Sequence, residues 1–143
     1  SGGDRHNVLD YFYFGAFGNN FVDDREVKRY RDFDSFPGFG IDEISARSFL
    51  KSTLEFNLPP VRFADVGTPA FYLSSVRSAV FAGVLAGDPG SRTGRTVEDG
   101  GFQLDWNFTV AVRLPMTLSL GDAIGVEDGR VRQNEIMLSL KIL

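Results

Sequence analysis

Residues 102–114 read FQLDWNFTVAVRL. Apolar side chains occupy every second place, namely Phe102, Leu104, Trp106, Phe108, Val110, Val112 and Leu114. Gln103, Asp105, Asn107, Thr109, Ala111 and Arg113 fill the positions between them. A period of two sends the two sets to opposite faces of a strand. No Gly or Pro interrupts the run, so the pattern predicts one strand about twice the common length.

The flanking segments repeat the pattern. Pro115 marks a very short turn, after which Met116, Leu118 and Leu120 alternate with Thr117 and Ser119. Val126–Arg130, VEDGR, carries an Asp-Gly hairpin signal. The strand predicted over Val131–Leu143 sets Ile136, Leu138, Leu140 and Ile142 against Met137, Ser139 and Lys141. On the other side, residues 86–100 (AGDPGSRTGRTVEDG) read as a long polar loop, and Ala70–Leu85 as a strand with Val76, Val80, Ala82 and Val84 opposite Arg77, Ala79, Phe81 and Gly83. Val61–Pro69 is a connector with room for a short strand. Ser45–Leu58 is a further strand, with Leu50, Leu54, Phe56 and Leu58 on one face and Phe49, Lys51, Thr53, Glu55 and Asn57 on the other. Pro59-Pro60 ends it, because proline cannot donate to a ladder. Residues 18–44 are a long charged connection, Val8–Phe17 a first strand, and residues 1–7 a disordered start or tag remnant.

Composition bounds the class. Fourteen Phe and 16 Gly in 143 residues favour strands joined by tight turns. No apolar run is long enough for a membrane-spanning helix, whereas barrel strands need only alternation. There is no cysteine, which removes disulfides and thiol chemistry. A net charge of −4 with scattered Lys and Arg argues against nucleic acid. The polar start Ser1-Gly2-Gly3-Asp4 carries no signal-peptide pattern, which suits a mature start or a piece of a longer chain.

Alternation alone leaves the solvent open. In a soluble barrel or sandwich the apolar face packs inward. In an outer-membrane barrel it meets lipid, and the polar face lines the interior. Strand length, and short turns on one side (Arg113–Met116) with long loops on the other (18–44 and 86–100), favour the membrane reading. On it, Lys51, Glu55, Arg77, Asp105 and Arg113 face the lumen. Leu104, Trp106, Phe108, Val110, Leu138 and Leu140 face lipid.

A resemblance adds to this reading. Pro37-Gly38-Phe39 forms a Gly-aromatic turn and is followed by a strand ending LEFNLP at residues 54–59. VFAGVL at 80–85, an alternating strand ending Arg113-Leu114-Pro115, MTLSLGDAIG at 116–125 and a closing strand come next. In this order the segments resemble the C-terminal barrel of the bacterial surface-antigen superfamily, which includes outer-membrane protein assembly factors. The resemblance covers about three-quarters of the chain. It implies an outer-membrane location and a role as anchor or in protein export and assembly. Two positions depart from the family pattern. Pro37 stands where the family has Arg, and Leu143 where it ends in an aromatic residue, which suits a divergent relative.

Catalytic motifs are absent. His6 is the only histidine, which rules out a His-based triad or multi-His metal site. Asp23, Asp24, Asp32 and Asp34 lack the spacing of an EF-hand loop. Gly38-Phe39-Gly40 lacks the strand-then-helix setting of a phosphate loop. Glu55 with Asp105 reads as structural ion pairing rather than a carboxylate dyad.

The expectation is therefore a single all-β segment over 1–143, an antiparallel meander of about six to eight long strands forming part of a transmembrane β-barrel. It needs no cofactor, metal or catalysis. Its partners are the lipid bilayer and further strands of a longer parent chain or other subunits. The rival expectation is a soluble antiparallel β-barrel binding a small apolar ligand among the same aromatics.

Overall fold

The computed structural model describes residues 11–17, 28–64, 66–92 and 94–142. Four long strands run up and down in sequence order: β6 (Phe71–Gly87), β7 (Arg95–Val110), β8 (Leu114–Glu127) and β9 (Arg130–Ile142). Each pairs antiparallel with the next. The opposite side of β6 is covered end to end by β3 (Phe49–Asn57), β4 (Val61–Arg62) and β5 (Gly67–Thr68). These make one seven-stranded sheet whose outer members are β3 with its continuations and β9. Among the described residues the sheet is open. A separate two-stranded ribbon joins β1 (Phe12–Phe14) to β2 (Ile44–Ala46).

Several boundaries differ from the sequence reading. The polar loop expected over 86–100 is shorter, because β7 begins at Arg95 and the turn spans only 88–94. Inward Val97 is buried against the core, so RTVEDG is strand despite its polarity. At the other end β7 stops at Val110, and Ala111–Arg113 is the turn. Ala111 and Val112 take φ of 50° and 67°, a left-handed pair that no glycine announces. Pro115 is thus not the turn. It stands at the start of β8 opposite Thr109, where a missing N–H is tolerated. The predicted Ser45–Leu58 strand is broken at Arg47-Ser48, and its first part belongs to the ribbon with β1. In the predicted Val8–Phe17 strand, residues 8–10 lie outside the described residues and only Phe12–Phe14 is strand. The Asp-Gly hairpin stands as read. Asp128 and Gly129 have φ of 50° and 71°, the primed turn that matches strand twist.

The largest correction concerns residues 18–44. Residues 18–27, with Asp23 and Asp24, lie outside the described residues, as does His6. The remainder does not behave as a solvated loop. After a single 3-10 turn at Arg29–Arg31 it runs across one face of the sheet and buries Tyr30, Phe36 and Phe39. Two clusters form there. Phe14, Phe36, Phe39 and Ile44 pack on Leu85 and Val97, with Phe49 alongside. Phe17 and Tyr30 pack on Ala79, Phe81, Ala123 and Met137. Tyr30 stacks on Phe81 with ring centroids 4.2 Å apart. The core of the molecule is thus a plug of aromatics from the N-terminal segment, seated on the inner face of a meander.

Gly38 shows how closely the plug docks. A Cβ there would lie 2.2 Å from the Gly125 backbone nitrogen, and one on Gly125 would lie 2.2 Å from the Gly38 carbonyl oxygen. Gly38 also has φ of 83°, so side chains are excluded by both space and backbone conformation.

Candidate functional site

The two faces of the sheet hold opposite chemistry. On β7, Gln103 is 1% and Asp105 5% exposed, whereas Phe102 between β6 and β8 is 44% exposed. The same division extends across the sheet. Thr117, Ser119 and Ser139 are buried on the inner face. Leu54 at 77% and Ile136 at 72% stand free on the outer one, with Leu50, Phe56, Val80, Val84, Leu138 and Ile142 also exposed. The outer surface is therefore predominantly apolar, with only Ser52 and Ser78 as small polar breaks among the lower outward positions of β3 and β6, far more than isolated exposed leucines.

The outward apolar runs have an end. Moving up from the β7–β8 turn, the first outward charged or strongly polar residues are Glu98 on β7, Asp122 on β8 and Asn134 on β9. Below them Phe102–Val110, Leu114–Leu120 and Ile136–Ile142 carry only apolar outward side chains.

Toward the β7–β8 turn the inner face is a polar ladder. Gln103 Nε2 and Ser119 Oγ both donate to Asp105 Oδ1 at 2.6 Å. Thr117 Oγ1 donates to Asn107 Oδ1 at 2.8 Å, and Asn107 Nδ2 donates to Ser75 Oγ at 3.1 Å. The ladder crosses three strands, and satisfying these groups is the condition for burying them.

Charged side chains fasten the plug. Lys51 Nζ donates to the carbonyl oxygens of Asp32 (3.0 Å), Phe33 (3.2 Å) and Ser35. Glu135 accepts the backbone N–H of Phe17 at 2.9 Å and of Gly38 at 3.0 Å. Glu55 receives Lys28 at 2.6 Å and Arg31 Nε at 2.7 Å. Burial beside Glu55 raises the Tyr30 phenol above its ordinary range. At the upper rim Glu127 pairs with Arg95 and, at 3.1 Å, with Arg132. Beyond the plug, toward the β7–β8 turn, a cavity of ≈ 500 Å³ is lined by Lys28, Arg31, Asn57, Arg77, Asp105, Asn107 and Lys141.

Lys51, Glu55, Arg77 and Asp105 thus share the inner face. Arg113 does not, because it sits in the β7–β8 turn. Leu104, Trp106, Phe108, Val110, Leu138 and Leu140 share the outer face, opposite the plugged one. Pro37, Gly38 and Phe39 lie against β8 through Gly125. Sequence reasoning missed Glu135, Lys28 and Arg31. Glu135 could have been noticed as the lone carboxylate of its strand, on the same face as Met137 and Ser139, whereas nothing marks the two cations. Among the described residues no group of three or more His, Cys, Asp or Glu is placed to hold a metal, and no helix is long and apolar enough to cross a membrane. No protein-family model, curated protein or solved structure matches the chain.

Proposed function

We propose that this chain is a segment of an outer-membrane β-barrel that acts as a membrane anchor or in protein export and assembly, without catalysis of its own. The observation that carries the reading is the inverted polarity of the sheet, with Gln103, Asp105, Thr117 and Ser119 buried and Leu54, Phe56, Phe102 and Ile136 exposed. In water such a surface is a liability, while in lipid it is the required one. The dimensions agree. Nine residues from Phe102 to Val110 at about 3.4 Å each, tilted about 40°, rise roughly 20 Å, close to the apolar band of about 25 Å on such barrels. Export or assembly rests on the surface-antigen resemblance. Because open sheet edges cannot face hydrocarbon, further strands from a longer chain or other subunits complete the barrel beside β3 and β9.

Trp106, the only tryptophan, is the built-in probe. In reconstituted vesicles, chain-brominated lipids quench its emission and aqueous iodide does not. Iodide quenching without lipid quenching, or recovery of a monodisperse chain in detergent-free buffer, overturns the membrane reading.

A further inference from the structure

The cavity at the β7–β8 turn end of the inner face is unlike its surroundings. The chain as a whole carries a net charge of −4, yet four cations converge here: Lys28, Arg31, Arg77 and Lys141. Two carboxylates accompany them. Glu55 is engaged by Lys28 and Arg31, and Asp105 Oδ1 accepts Gln103 and Ser119. Among the described residues four positive charges stand against two negative, within walls that focus the field.

Arg77 is the decisive group. It lies in register opposite Asp105, on the inner side of β6 between Ser75 and Ala79. Its guanidinium nevertheless forms no hydrogen bond or ion pair with any described residue. A guanidinium presents its N–H donors in a planar fork that fits an oxyanion bidentately. The amides of Asn57 and Asn107 line the same space. The site is on the opposite side of the sheet from the apolar surface, so its ligand comes from solution and not from a lipid headgroup.

We propose that this cavity binds a free phosphate-class oxyanion, with Arg77 as the bidentate anchor and Lys141, Lys28 and Arg31 supplying the attractive field. The site does not depend on what the outward face meets, so it stands or falls separately from the membrane reading. The test is calorimetric titration of inorganic phosphate into the full chain in detergent micelles at low ionic strength. Wild type binds saturably. Arg77→Gln binds at least about tenfold more weakly, the loss expected for charge-assisted hydrogen bonds. Arg77→Lys falls between them, because charge remains and the fork is lost. Arg92→Gln, in the β6–β7 turn, binds as wild type does. Far-UV circular dichroism reports whether each variant is folded. If Arg77→Gln does not fold, Arg77→Lys and Lys141→Gln carry the comparison. Absence of saturable binding by wild type, or equal affinity in the folded Arg77 variants, overturns the site. So does displacement by phosphatidate-bearing micelles when free phosphate has no effect.

Discussion

Phe102 and Gln103 are neighbours in the chain, yet one stands exposed and the other is sealed in the interior. The same contrast holds between Leu138 and Ser139, and Leu118 is half-buried beside a buried Ser119. A sheet whose apolar face packs inward would reverse it. What the comparison teaches is that alternation specifies two faces without saying which is inside. Here the inside is chosen by the aromatic plug, which seats on Ala79, Phe81, Leu85, Val97, Ala123 and Met137, and by the hydrogen-bond ladder, which makes the polar remainder of that face tolerable in the interior.

Substitutions on the two faces should therefore fail in different ways. The largest effect is expected for Gly38→Val, which forces a β-branched side chain into a positive-φ site against the Gly125 backbone. Strain and overpacking together cost about 4 kcal/mol or more. Limited proteolysis should then cut within 28–47, while β6–β9 resist. Phe108→Lys follows on the outer face. It costs about 2–4 kcal/mol in bilayers if that face meets lipid near the midplane. Urea unfolding from vesicles reads the difference, and a change within about 0.5 kcal/mol, as on an ordinary wet surface, breaks the comparison. Glu135→Ala returns to the inner face. It strands the N–H groups of Phe17 and Gly38 and costs about 2–3 kcal/mol, visible as faster amide exchange at those two residues. The smallest effect is expected for Glu55→Gln. Glu55 pairs with a half-exposed Arg31 and a mostly buried Lys28, and the amide still accepts from one of them, so thermal melting should register a loss of about 1 kcal/mol.

Much of the sheet was legible because Phe102–Val110, Leu114–Leu120 and Ile136–Ile142 carry an apolar residue at every second position. That Lys51 shares a face with Glu55, and Arg77 with Ala79, follows from parity; that this face is the inner one does not. The Asp128-Gly129 turn was legible because a primed turn demands residues that accept positive φ. The Ala111-Val112 turn was not, since neither residue favours that conformation. Only the pairing of Val110 with Leu114 imposes it. The start of β7 was hidden by its charged residues, which stand above the outward apolar run where no apolar surface is needed. The cavity was half legible. Arg77 and Lys141 belong to strands, whereas Lys28 and Arg31 arrive from a segment whose path depends on where Phe36 and Phe39 pack.

The amino-acid sequence by itself determined that the chain is all-β, where most of its long strands lie and which residues share a face, because a period of two is a local property of the backbone. Only the tertiary structure decided which face is interior and that residues 28–47 plug it. Those outcomes depend on contacts between residues far apart in the chain, such as Gly38 with Gly125 and Phe17 with Glu135, and no local pattern records them.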